Sequence, residues 1–149
     1  MVASEPVIQK LDMAKQAADL CGSMLDQRIV TECWRNGVIQ GHLPQIREFY
    51  RSRCQAMLAS LEASMPGGIR WTRPDGGLFL WMWLPDTLDS EKLLNVAFEE
   101  EKVTFVIGSP FFVNGEGQNT LRLAFSKENE DNIHAGILKL SKVFKAHLE

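Results

Sequence analysis

The sequence predicts an α+β fold in which helices cover a small, largely antiparallel sheet. Two observations carry this. Helical periodicity over the first 64 of the 149 residues gives way to a hairpin, then helix, strand, strand and helix. The run LFLWMWL at 78–84 is apolar at consecutive positions, as expected of a strand inside a sheet and covered on both faces. With no repeat, low-complexity tract or linker between these stretches, one layered structure is the natural result.

Pro6 suits a first helical turn, and Val7, Leu11, Ala14 and Ala18 follow at helical spacing, so a helix is expected over 6–21, broken by Gly22. A second is expected over 23–36, with Asn36-Gly37 as its stop. Gly41 to Pro44 marks another start. Ile46, Phe49, Tyr50, Met57, Leu58 and Leu61 then form the apolar stripe of a long helix ending near Ser64. Ile69–Thr72 and Leu78–Leu84 read as strands joined by a tight turn at Pro74-Asp75-Gly76-Gly77. Asp89 or Ser90 caps a helix running to about Lys102, and Glu99-Glu100-Glu101 forms its solvated end. Val103–Val106 and Thr120–Phe125 read as strands around a loop at 107–119, and a last helix covers 128–147.

Composition narrows the function classes. Hydrophobic residues at 45% and charged residues at 23% are ordinary for a globular domain. A net charge of −3 without a basic cluster argues against a nucleic-acid partner. No apolar run is long enough to span a membrane, and residues 1–10 lack a secretory layout. Cys21, Cys33 and Cys54 form no C-x-x-C, and no histidine pair has ligand spacing, so no metal site or disulfide framework is expected. Buried, reduced thiols in a cytoplasmic protein are the simple expectation. His42, His134 and His147 are expected at the surface.

Three places could carry chemistry. In Thr120–Phe125, alternation sets Leu121, Leu123 and Phe125 on one face and Arg122 on the other, where a guanidinium could offer a two-pronged donor to a carboxylate, or simply meet solvent or a salt bridge. Gly76-Gly77 either forms a hairpin or lets backbone approach a ligand. Gly108, Ser109 and Phe111 form a pocket wall or an ordinary packed loop. No nucleophile elbow or phosphate-binding glycine motif is present.

The combination is more specific than its parts. WTRPDGGLFLW at 71–81, VTFVIGSPFF at 103–112 and NTLRLAFS at 119–126 together resemble the C-terminal third of class I/II aminotransferases, most closely the 2-aminoadipate/kynurenine/branched-chain group. The segment Lys15–Leu20 resembles the helix that follows the cofactor lysine there. The resemblance implies bridging helices over 1–40 and a small domain over 41–149. It implies that Arg122 grips a substrate α-carboxylate, that Gly76 and Gly77 lie near the substrate entrance, and that Gly108, Ser109 and Phe111 belong to a loop closing over the site. Ile107 departs from it, standing where proline is usual. The implied cofactor is pyridoxal 5'-phosphate, the substrates an amino acid and a 2-oxo acid, and the full-length assembly a homodimer serving amino-acid biosynthesis. The Schiff-base lysine and the cofactor-anchoring residues would precede residue 1, which leaves no catalytic residue in this chain. Ser126-Lys127 imitates the cofactor motif but follows the Arg122 strand and opens a helix, the wrong place for it. The alternatives are an effector-sensing aminotransferase-like domain of a transcription regulator and a stand-alone α+β binding module.

Overall fold

The computed structural model describes residues 2–19 and 21–148. Leu20, within the expected helix 6–21, lies outside them, as do Met1 and Glu149. The chain divides into two compact units, Met1–Pro44 and Gln45–Glu149.

The first unit holds helices α1 (Glu5–Ala18) and α2 (Met24–Arg35). Pro6 occupies the first turn of α1. The Ser23 hydroxyl caps α2 by accepting from the Asp26 N–H at 3.3 Å. Neither helix contains a buried residue. Gly37, at φ +72°, ends α2 as its position predicts. Helix α3 (Val38–Ser64) begins three residues before the expected start, and Pro44 lies inside it. The Gly41 N–H donates to the Gly37 carbonyl at 2.9 Å, so the helical ladder is already running before the proline, which removes only one of its bonds.

The second unit carries the sheet. Strands β1 (Arg70–Trp71), β2 (Phe79–Trp83), β3 (Val106–Ile107) and β4 (Thr120–Ala124) lie in the order β1-β2-β4-β3, and every pairing is antiparallel. Helix α4 (Ser90–Val96), capped by the Asp89 carboxylate, runs into a π-helical turn at Ala97–Glu101. Helix α5 (Glu130–Ala146) closes the unit. One sheet face, with Leu80, Met82, Leu121 and Leu123, joins Leu61, Leu93, Ile137 and Phe144 of the helices in a single core. Each such side chain contributes roughly 1.5–3 kcal/mol by leaving water. The Ser141 hydroxyl donates to the Ser64 carbonyl at 2.5 Å and ties the end of α3 to α5.

Several expectations need correction. β2 is interior to the sheet, but only its Leu80/Met82 face is buried. Phe79 is 42% exposed, and Trp81 and Trp83 are half-buried. The β1–β2 connection is no tight turn. Thr72 still pairs with Trp81, its N–H donating to the Trp81 carbonyl at 2.9 Å, so the chain between them does not turn tightly, and residues 73–78 form a wide loop in which Gly77 takes φ +87°. The third strand lies at 106–107, because the Val103 N–H remains bonded to Ala97 at the helix end and Lys102 turns the chain through φ +56°. Ile107 pairs with Leu121 in that strand. Of the acidic run, Glu101 is drawn inward to an ion pair with Lys142 on α5. The cysteines are free but not buried: Cys21 is exposed, Cys33 and Cys54 half-buried. The three histidines are exposed as expected. Among the described residues, no helix is long and apolar enough to cross a membrane.

Candidate functional site

Arg122 stands at the middle of β4, between Trp81 on β2 and Val106 on β3. Alternation sends Leu121 and Leu123 into the core and leaves Arg122 on the opposite face. Its guanidinium carbon lies 4.0 Å from the centre of the Phe79 ring and 5.1 Å from that of Phe111. Among the described residues, Arg122 makes no salt bridge, and its Nε is a buried side-chain nitrogen without a hydrogen-bond partner. A buried donor left unmatched costs about 1–3 kcal/mol, more for a charged group. A carboxylate arriving in the guanidinium plane is the complement such a group lacks.

The residues around it are placed by close packing. Phe111 ends a 3-10 turn at Ser109–Phe111 and meets the Trp81 ring edge-on at 5.5 Å. That turn is pinned at Gly108, whose N–H donates to the Thr120 carbonyl at 2.8 Å. A Cβ at Gly108 would lie 1.8 Å from the Thr120 Oγ1, so only glycine lets the turn sit against β4. Gly108 is buried behind the site, Ser109 half-buried at the start of the turn, and Phe111 exposed at its tip. Gly117 repeats the device. At φ +86°, it lies under Phe112, whose ring a Cβ would meet at 2.3 Å.

The structure thus brings Arg122 and Phe111 together and sets Gly108 and Ser109 behind Phe111. Gly76 and Gly77 line a different cleft, of about 730 Å³, with Arg47, Tyr50, Cys54 and Phe125. Arg122 lines a separate crevice of about 310 Å³ with Thr104, Val106, Ala124 and Asn132. Sequence reasoning overlooked Phe79, read only as part of an apolar strand, and Gly117, read only as part of a polar loop. The signal for Phe79 was available: alternation puts it on the Arg122 side of the sheet once β2 and β4 are paired.

No set of residues suited to a metal ion occurs among those described. Every lysine is exposed, and Lys127 lies in the bend between β4 and α5. The side chains present do not fit the anchoring site of an aldehyde cofactor, which needs a lysine held against it.

Residues 1–139 match the family described as aminotransferase class I and II. The 2-aminoadipate transaminase of Thermus thermophilus is 44% identical over 147 residues, 99% of this chain and 36% of that protein. The crystal structure of the α-aminoadipate aminotransferase from Thermus thermophilus, complexed with N-(5'-phosphopyridoxyl)-L-leucine, superposes with a TM-score of 0.82 at 44% identity. The match covers 99% of this chain and 37% of that one. The kynurenine aminotransferase of Pyrococcus horikoshii gives a TM-score of 0.86 at 39% identity, covering 97% and 36%. A more distant relative, an uncharacterized HTH-type transcriptional regulator of Bacillus subtilis, is 28% identical over 145 residues, 97% of this chain and 30% of that protein. The chain spans about 36% of the length of the aminotransferase it matches by sequence.

Proposed function

The chain belongs to the class I and II aminotransferases, and from that premise we propose that it is the substrate-carboxylate-binding part of an enzyme moving an amino group between an amino acid and a 2-oxo acid. The observation that carries the reading is Arg122: a guanidinium on the open face of the sheet, with no salt bridge among the described residues and a buried Nε lacking an acceptor. Gripping the α-carboxylate there would align the bond to be broken at the neighbouring carbon. Pyridoxal phosphate is the cofactor proposed for the whole enzyme, held by residues outside this chain. The same resemblance supports a cytoplasmic homodimer in amino-acid biosynthesis, with Gly76 and Gly77 near the substrate entrance and the Gly108–Phe111 turn covering the site. The 149-residue chain alone is inactive in this reading. The regulator alternative is less favoured, because the aminotransferase relatives are markedly more similar.

The test is Arg122→Ala in the whole enzyme. Removing a charge-assisted, two-pronged bond, at roughly 1.5–3 kcal/mol per bond, should lower kcat/KM by about 10²-fold or more for every amino-acid substrate. Arg122→Lys should recover only part of this, because a point charge lacks the fork. Amines without a carboxylate should be little affected. Near-normal kcat/KM, or a loss explained by a collapsed melting temperature, would refute the reading.

A further inference from the structure

We propose that Phe79 and Phe111 are positioning residues for Arg122, holding its guanidinium plane between two rings so that its hydrogen-bonding edge meets an incoming carboxylate. The proposal rests on the reading of Arg122 as the carboxylate anchor and adds what orients it. Arginine has a long, flexible side chain, and a two-pronged bond requires one orientation of its plane. Orientation is commonly supplied by a neighbouring carboxylate, which would then compete with the substrate. Among the described residues no such ion pair is made. What surrounds the group instead is aromatic, with Phe79 at 4.0 Å and Phe111 at 5.1 Å, both within the range of cation–π attraction.

The placement of both rings follows from the chain. Phe79 faces Ala124 across the sheet, and Trp81 faces Arg122, so Phe79 is the diagonal neighbour of Arg122. The small Ala124 side chain leaves the Phe79 ring room to lean over the guanidinium. Phe111 comes from the other side, on the turn in which its own N–H donates to the Gly108 carbonyl at 2.9 Å. Trp81 backs it edge-on at 5.5 Å. Neither ring belongs to the buried core, and Phe79 and Phe111 remain 42% and 52% exposed. Packing in the core therefore does not account for two large rings converging on one cation.

A double-mutant cycle on the whole enzyme tests this. Phe79→Leu keeps apolar bulk and removes the π face, whereas Phe79→Tyr keeps the face. The readouts are kcat/KM for an amino acid and the inhibition constant of 3-phenylpropionate, a carboxylic acid with no amino group to react. Phe79→Leu should weaken both by about 3–30-fold at unchanged melting temperature, Phe111→Leu by less, and Phe79→Tyr should restore them. In an Arg122→Ala background, Phe79→Leu should have no further effect. An equal loss in that background would show that the ring touches the ligand by itself and would overturn the proposal, as would an unchanged inhibition constant in both leucine variants. If Arg122→Ala alone leaves the inhibition constant unchanged, the carboxylate reading itself fails, an outcome distinct from either of these. If Phe79→Leu does not fold, Phe111→Leu completes the same cycle.

Discussion

Residues 5–35 and residues 57–144 are both rich in helix and both patterned with apolar side chains, yet only the second stretch has an interior. In α1 and α2 no residue is buried, and Leu25, Ile29, Val30 and Trp34 of α2 stand more than half exposed. From Met57 onward, eighteen hydrophobic side chains among the described residues form one buried cluster around the sheet. The difference is tertiary. A short helix in water is marginal by itself, and most helical stability in proteins comes from packing an apolar stripe against something. The stripe of α5 meets β4 and β2 in a common core, whereas those of α1 and α2 stay on the surface.

The largest effect expected from this contrast is in hydrogen exchange of the 149-residue chain. Amides of β2, β4 and α5 should open only with global unfolding, whereas those of α1 and α2 should open locally, with protection lower by roughly 10³-fold or more. Uniform protection along the chain would break the comparison. Next comes a pair of truncations followed by urea unfolding. Phe144→Ala, at a fully buried position, should cost about 3–5 kcal/mol. Leu11→Ala, at a position 37% exposed, should stay within about 0.5 kcal/mol. A comparable cost at both sites would mean that α1 is stabilised like the core.

The smallest effect concerns the edge of the cored unit, where the Ser52 hydroxyl donates to the Glu130 carboxylate at 2.7 Å. That bond, a hydrogen bond from the Glu130 backbone and the nearby Arg53 charge hold the Glu130 carboxyl below the usual glutamate range. The lowered folded-state value means the contribution is fully present above the ordinary carboxyl pKa and is lost as pH falls through the folded one. Ser52→Ala should move the Glu130 midpoint, followed by carbon-detected NMR, upward toward the ordinary value. An unmoved midpoint would assign the shift to the other two causes.

The elements were legible where local pattern and tertiary role agree. Leu121, Leu123 and Phe125 against Arg122 gave β4 and its two faces, and Ile133, Ile137, Leu140 and Phe144 gave α5, because one period and one core face decide them. Boundaries set by backbone accidents were not legible. The left-handed Lys102 and the π-helical turn before it displaced β3 toward Ile107, and nothing in Val103-Thr104-Phe105 signals this. Pro44 misled for a related reason. It favours a helix start, and only the ladder already formed before it allows it inside. At the site, Arg122 was legible from alternation, but the close approaches of Gly108 to Thr120 and of Phe79 to Arg122 depend on how separate strands are registered. Gly76-Gly77 reads like a hairpin turn in sequence, whereas the ladder stops at Thr72 and Trp81 and leaves a wider loop.

The aromatic packing on Arg122 carries a consequence for competition with solutes. An arginine oriented by an aspartate arrives with its counter-ion, which must be displaced before a ligand binds. A ring attracts the cation through its quadrupole without cancelling the charge. Among the described residues Arg122 has no ion-pair partner, and in the proposed reading it is ready for a carboxylate but equally open to chloride or sulfate. In that reading, discrimination against chloride falls to the shape of the two-pronged bond, which a single-atom ion cannot make, whereas sulfate can make it and would compete, so apparent substrate affinity in the proposed whole enzyme would depend on which anions share the buffer.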